Sequence, residues 1–279
     1  MIDDQKIAKL KQIGGEMRMD LLHMFSHGKV HHFGGSLSSI DIVAALYFYK
    51  MNYSKELMND ENRDRFIMSK GHSVPAQYVA LSRIGLFPKE ELKSIKRLGT
   101  RLQGHPDYRK TPGIEAPTGS LGMGLSFGNG IALAGRRNGL SFNVFIVMGD
   151  GELQEGQVWE AAMTTAHYKL GNICVLVDQN KFQSQGSVAD VMCVDPIGLK
   201  FEAFGWDSMR CDGHDLGEIC KKLDQFSGKG DKPLAIICDT VKGKGISFME
   251  NTHAFHNYGL SEEQFHIAEK EILGTIRGV

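Results

Sequence analysis

The sequence has neither a strong excess of charge nor a long apolar run. Its 279 residues contain 32 Lys and Arg against 33 Asp and Glu, and this balance gives no reason to expect binding to nucleic acid or to an acidic membrane. No apolar run approaches the roughly 20 residues that cross a bilayer, and the charged segment MIDDQKIAKLKQ lacks a signal-peptide core. We therefore expect a cytoplasmic protein that has neither nucleic acid nor a membrane among its partners.

Cysteine is scarce, and its spacing does not match a zinc site or a disulfide framework. The five cysteines form no CxxC pair, which favours reduced thiols in a cytosolic protein. Internal repeats and low-complexity linkers are also lacking, and a hydrophobic content of 42% is typical of a globular protein. We expect residues 1–279 to form a single domain with N- and C-terminal helical extensions.

The most informative stretch is Val144–Asn180. An apolar run over 142–148 predicts a buried strand, and it ends at the turn 149–151, where two glycines allow close backbone approach to a ligand. A helical pattern follows, and a second apolar run over 173–177 ends in the polar segment DQN. This stretch predicts a strand–helix–strand unit of an α/β fold, with oxygen-bearing side chains at the edge where parallel sheets bind ligands.

The side chains at this edge suggest a hard cation that holds a diphosphate. Asp150 offers a carboxylate and Asn180 an amide oxygen, and Mg²⁺ prefers such ligands and often shares them with phosphate. A helix that begins after Gly151 adds backbone N–H groups for the anion. The alternative is an ordinary strand-end Asp with an Asn in a turn, and for GDG alone this alternative would be preferred, because three residues are a weak signal.

The longer pattern GDGELQEGQVWEAA…KLGNICVLVDQNKF resembles the thiamine diphosphate fingerprint, and the LQEG and WEA segments are similar to the transketolase family in particular. The resemblance runs from about Gly14 to Asn257. It implies the thiamine-diphosphate-binding fold, a parallel sheet with helices on both faces. It also implies thiamine diphosphate as cofactor, with Mg²⁺, or Ca²⁺ or Mn²⁺ in its place, held by Asp150, the Asn180 side chain and the Phe182 backbone carbonyl.

The same resemblance assigns four histidines to the active site. They lie in the segments HFGGSLS, SKGH, GHP and AFH, and they are His32, His72, His105 and His256. Neutral histidines suit proton transfer to and from sugar hydroxyls. Phe33 stands where the family has Pro and Phe255 where it has Trp, and His31 and His253 are close enough to be rivals. We expect the Gly-Gly pair after Phe33 to form a loop.

Further residues are implied around the cofactor. A glycine-rich loop, GSLGMG, precedes a helix, so its backbone can approach a flat ring or a phosphate. Lys242 matches a position near the diphosphate, although a flexible basic loop is the alternative. Glu155 matches a glutamate at the interface between subunits and is grouped with the catalytic residues, whereas His214 is expected to stabilise its turn. The residues predicted to bind the cofactor are Gly119, Leu121, Gly122, Gly149, Gly151, Glu152 and Lys242.

Length adds a second implication of the resemblance. Whole transketolases also contain a pyrimidine-binding domain and a C-terminal domain, so the chain is similar to the N-terminal subunit of a split transketolase. The implied partner is a C-terminal subunit that carries the pyrimidine-binding domain, in an α₂β₂ assembly acting on sugar phosphates or related ketoses and aldoses. The alternatives are the α subunit of a 2-oxo acid dehydrogenase or a deoxyxylulose-phosphate-type synthase, and a non-catalytic cofactor-binding homologue.

Overall fold

The protein folds around one parallel sheet. The computed structural model describes residues 2–25 and 31–278, and within these ranges five parallel strands follow the order β1-β2-β3-β5-β4. The strands are β1 (Arg65–Met68), β2 (Val144–Gly149), β3 (Ile173–Gln179), β4 (Asp207–Asp212) and β5 (Leu234–Asp239). Because all five run in one direction, the loops that follow them meet at a single edge of the sheet.

Helices cover both faces of this sheet, as the sequence predicts. They are α1 (Asp4–Met24), α2 (Phe33–Ser38), α3 (Ile40–Ala45), α4 (Val74–Ile84), α5 (Gly124–Arg137), α6 (Gly156–His167), α7 (Val188–Met192), α8 (Ile197–Ala203), α9 (Leu216–Gln225) and α10 (Glu262–Arg277). Helices α1, α3, α4, α9 and α10 contribute to one apolar core, and α5, α6 and α8 to the other. No helix in residues 2–25 and 31–278 is both long and apolar enough to cross a membrane.

The alternating direction of side chains along β2 explains why two apolar cores form, one on each face of the sheet. Phe145 and Val147 point into the core that contains α1, whereas Val144, Ile146 and Met148 point into the core that contains α5. Successive side chains of a strand lie on opposite faces of a sheet, and a strand buried on both faces must be apolar throughout. The unbroken apolar runs in the sequence are therefore typical of a central parallel strand.

One local prediction is wrong. Gly34 and Gly35 lie inside helix α2 and not in a loop. A methyl group at Gly34 would lie 2.8 Å from Cγ of Lys242, and one at Gly35 would lie 2.7 Å from Oγ of Ser73. The two glycines are therefore required for close packing of a short helix, which overrides their low intrinsic helix propensity.

Candidate active site

A cavity of about 380 Å³ lies at the edge formed by the C-terminal ends of β1, β2, β3 and β5. Every residue predicted for the active site lines this cavity, except Gly122. Gly122 lies directly behind the wall, where its backbone N–H donates to Glu152 at 2.9 Å. Residues far apart in the sequence thus come together in one place.

The four predicted histidines form a cluster. The ring centroid of His32 lies 5.1 Å from that of His72, 5.5 Å from that of His256 and 6.1 Å from that of His105. The rival His31 is instead buried against Phe25, with 4.3 Å between ring centroids. This contact and its pairing with Tyr258 place His31 in the framework behind the cavity.

Burial keeps this cluster neutral. Burial, followed by the charge of Lys96, lowers the pKa of His32 to about 4. Burial, followed by the charge of Lys242, lowers the pKa of His256 to about 3. Burial also lowers the pKa of His72. His105 is exposed at the rim of the cavity, and there partial burial of its ring, followed by the charge of Lys96, lowers its pKa. Neutral imidazoles can both donate and accept hydrogen bonds, as contact with sugar hydroxyls requires.

The oxygen atoms predicted to bind metal lie at the ends of two paired strands. Asp150 follows β2 and Asn180 follows β3, and both side chains are almost fully buried. Asp150 accepts N–H groups from Gly151 at 2.8 Å and Lys181 at 2.6 Å. Burial, and then the charge of Asp178, raises the pKa of Asp150 to about 6, so a bound cation would favour its ionised form.

Asp178, a residue that the sequence analysis missed, sets the orientation of the Asn180 amide. Asn180 Nδ2 donates to Asp178 Oδ2 at 3.1 Å and to Ser38 Oγ at 3.3 Å, so the oxygen end of the amide is directed away from Asp178. Asp178 is fully buried and also accepts hydrogen bonds from Lys70 and Thr240. The signal for Asp178 in the sequence is an acidic residue directly at the end of an apolar run, in VLVDQN.

Lys242 and Glu152, both predicted to bind the cofactor, are buried and hydrogen-bonded. Lys242 is 1% exposed, and its Nζ donates to the Phe182 carbonyl at 2.9 Å and lies 3.0 Å from Nδ1 of His256. Glu152 is buried and accepts hydrogen bonds from Gly122 N and Gly149 N, at 2.9 and 3.0 Å, and from Ser69. Glu152 therefore joins the glycine-rich loop to the end of β2.

The donor set fits a diphosphate bound through a hard cation. A carboxylate, an amide oxygen and a backbone carbonyl are oxygen ligands of the kind that Mg²⁺ prefers. The described ranges contain no cluster of three or more His, Cys, Asp or Glu side chains able to hold a metal ion. The three predicted ligands include only one such side chain, Asp150, so they would not form a cluster of this kind. Gly119 and Gly122 adopt φ values of +153° and +86°, so their loop can present backbone to a ligand where a side chain would be strained.

Comparison with known proteins agrees with this geometry. Residues 11–275 match the family model described as transketolase, thiamine diphosphate binding domain. The chain is 42% identical to a 6-deoxy-6-sulfo-D-fructose transketolase subunit from Clostridium sp. (strain MSTE9), over 87% of this chain and 88% of that protein. It is 39% identical to one of the subunits of an apulose-4-phosphate transketolase from Actinobacillus succinogenes, over 86% of this chain and 87% of that protein.

Longer proteins and solved structures match as well. Human transketolase is 32% identical over 99% of this chain, which spans 44% of the human protein. The transketolase structure from Leishmania mexicana superposes with a TM-score of 0.87 at 26% identity, and covers 96% of this chain and 44% of the solved chain. The chain thus spans less than half of these longer proteins but most of the subunits. It belongs to the transketolase family and corresponds to its thiamine diphosphate-binding N-terminal part.

Proposed function

We propose that this chain is the cofactor-binding subunit of a two-subunit transketolase. The complete enzyme would transfer a two-carbon ketol unit from a ketose or ketose phosphate to an aldose or aldose phosphate. The observation that carries the proposal is the cluster of neutral histidines that lines the same cavity as Asp150 and Asn180. An enzyme that decarboxylates a 2-oxo acid does not need several groups able to exchange protons with sugar hydroxyls.

The chain's oxygen ligands would anchor the cofactor. Asp150, the Asn180 amide and the Phe182 carbonyl would hold Mg²⁺, which in turn holds the diphosphate. Lys242 lies beside the Phe182 carbonyl and would add a positive charge for the same group. Bound thiamine diphosphate supplies the carbanion chemistry of ketol transfer, and the glycine-rich loop that begins at Gly119 would lie against it.

The histidines would bind the sugar and move its protons. His32, His72 and His256 lie within 5.1 to 5.5 Å of one another, measured between ring centroids. Their spacing allows one substrate to contact several of them at once. Because burial keeps their pKa values low, each ring is neutral at neutral pH and keeps one nitrogen as an acceptor for a substrate hydroxyl. A proton taken from that hydroxyl would be held only briefly before it passes on, since a low pKa makes the imidazole a weak base.

A second subunit would complete the active site. Relatives of similar length are named as transketolase subunits, and Glu155 is exposed at the rim of the cavity. We propose that residues 1–279 act as one domain and that the partner supplies the pyrimidine-binding domain, in an α₂β₂ assembly. Names of the relatives point to 6-deoxy-6-sulfo-D-fructose and apulose 4-phosphate, as well as ordinary ketose phosphates, as donors to test.

Reconstitution tests this proposal. The chain would be co-purified with its partner, supplied with thiamine diphosphate and MgCl₂, and assayed for ketol transfer to an aldose phosphate. We expect transfer from at least one ketose donor, and a reduction of at least about 100-fold in the Asp150→Ala variant, because loss of a metal ligand weakens cofactor binding.

Variants of the histidine cluster separate the alternatives. Substitution of His32 or His105 by Ala should reduce ketol transfer by about 100-fold, the usual contribution of a proton-transfer group. His266→Ala is a matched control, because His266 is exposed on α10, away from the cavity. Oxidation of a 2-oxo acid by the complex, with little effect of the His32 and His105 variants, would instead support a dehydrogenase subunit.

A further inference from the structure

A series of hydrogen-bonded polar side chains lies behind the loop that carries Lys242. It runs from Arg18 on α1, through Asp41 on α3, to His214 in the turn between β4 and α9. His214 in turn accepts the backbone N–H of Val241 at 2.9 Å, one residue before Lys242. We propose that His214, oriented by Asp41, is a positioning residue that holds Lys242 in the cofactor site.

The first link is a buried ion pair. Both terminal nitrogens of Arg18 contact the two carboxylate oxygens of Asp41, one of them at 3.0 Å. Arg18 is 9% exposed and Asp41 is 5% exposed. Although burial alone would raise the pKa of Asp41, the charge of Arg18 and the hydrogen bond from His214 lower it to about 2. Asp41 is therefore a fixed anion whose position is set by two helices.

The second link determines which nitrogen of His214 carries the proton. Nε2 faces the Val241 N–H, and since a backbone N–H can only donate, Nε2 must be the acceptor. The proton then resides on Nδ1, which lies 2.8 Å from Asp41 Oδ2 and donates to it. A carboxylate that fixes the tautomer of a histidine is a recurrent way of orienting its other nitrogen.

The third link connects this geometry to the cofactor site. Val241 and Lys242 follow β5, and the Lys242 stem packs so tightly against α2 that Gly34 has no room for a methyl group. From this position Lys242 Nζ donates to the Phe182 carbonyl at 2.9 Å. The loop is also held where Gly243 N donates to Gly34 at 3.1 Å. His214 therefore adds the constraint immediately before Lys242.

Two substitutions at His214 distinguish positioning from general packing. In His214→Gln, the amide oxygen can take the place of Nε2 and accept from Val241, while the contact with Asp41 is lost. In His214→Asn, the shorter amide can take the place of Nδ1 and donate to Asp41, while the bond to Val241 is lost. The two variants introduce the same functional group, so a merely structural role predicts similar effects for both.

The test rests on the proposed function in one respect, the choice of thiamine diphosphate with MgCl₂ as the probe. In the assembled enzyme, we expect His214→Asn to weaken cofactor affinity by about tenfold, the equivalent of one lost hydrogen bond. We expect His214→Gln to stay within about twofold of wild type. Equal affinities in the two variants would overturn the proposal.

Two measurements on the full chain without cofactor keep the inference separate from the proposed function. Hydrogen exchange at Val241 should become about tenfold faster in His214→Asn but not in His214→Gln, because the protecting bond is lost only in the former. Labelling of Lys242 by an amine-reactive reagent should follow the same order. If the wild-type enzyme fails to bind the cofactor, the proposed function fails, but hydrogen exchange and lysine labelling still test the role of His214. Unchanged exchange at Val241 and unchanged labelling of Lys242 in His214→Asn would refute that role.

Discussion

Burial determines the protonation state of the histidines in the cavity. Their pKa values lie below the ordinary value of about 6.5, at about 4 for His32 and about 3 for His256. In each case burial is the largest cause, and neighbouring positive charges act in the same direction. This arrangement makes the cluster suited to contacts with sugar hydroxyls at neutral pH, and it also links the stability of the protein to pH.

Protonation of the histidines should therefore destabilise the protein between about pH 6.5 and pH 4. In this window the unfolded histidines bind protons and the folded ones do not, so their contribution to the free energy of unfolding falls as pH decreases, whereas Asp150, whose pKa is raised to about 6, acts in the opposite direction. Urea unfolding at a series of pH values measures this slope. The double variant His32→Gln/His256→Gln should have a shallower slope than wild type, and the exposed His266→Gln variant should not. Equal slopes in wild type and the double variant would refute this interpretation.

Asp178 shows how a single buried charge can organise the residues around the candidate active site. It pairs with Lys70, which is 2% exposed and also donates to the Gly35 carbonyl at 3.1 Å. The same carboxylate receives Ser38 Oγ at 2.6 Å and orients the Asn180 amide. These contacts lower the pKa of Asp178 against the effect of burial, which alone would raise it.

Neutralising Asp178 should be costly, because Lys70 would then remain buried without its counter-ion. We expect Asp178→Asn to lower the free energy of unfolding by about 3 kcal/mol, within the range for breaking a buried pair. Urea unfolding monitored by circular dichroism measures this change. The double variant Asp178→Asn/Lys70→Met should recover part of the loss. A double variant that is as unstable as the sum of both single variants would argue against a coupled pair.

The elements around the cavity are joined by side chains that connect one loop to another. Glu152 bridges the glycine-rich loop and the end of β2, whereas the neighbouring Glu155 is exposed. Strands and the glycine-rich turns after them could be predicted from apolar runs, because these patterns are local. The helix at Gly34 and Gly35 could not be predicted, since only the approach of Lys242 and Ser73 explains why glycine is needed there.

The same chemical change at these two glutamates should have opposite consequences. Glu152→Gln replaces an acceptor oxygen by an NH₂ group, which cannot accept from Gly122 or Gly149, and we expect a loss of about 2 kcal/mol in stability. Glu155→Gln should leave the thermal unfolding of the isolated chain unchanged within about 0.5 kcal/mol. It should instead weaken activity in the assembled enzyme. A stable Glu152→Gln variant would show that the bridge between the loops is dispensable.

The whole molecule presents its cavity at an open edge of the sheet. Motifs in the sequence could predict which residues meet at this edge, because the ends of parallel strands converge there whatever the rest of the fold does. They could not predict the framework behind it, such as the contacts of Asp178 with Lys70 or of His214 with Val241. Those contacts join segments between 27 and 108 positions apart, and they follow no local pattern.

An open cavity predicts that cofactor binding depends on assembly. In the proposed site, Asp150, Asn180 and Phe182 would hold the metal and the diphosphate, whereas His105 and Glu155 are exposed at the rim, so one side of a bound cofactor would face solvent. Calorimetric titration with thiamine diphosphate and MgCl₂ should give an affinity at least tenfold weaker for the isolated chain than for the chain with its partner, because a second protein surface excludes water from the cofactor. Asp150→Asn should abolish binding in both preparations, since it acts on the metal and not on the interface. Equal affinities in the two preparations would mean that this chain alone forms the complete cofactor site, and the partner would then contribute only to the substrate.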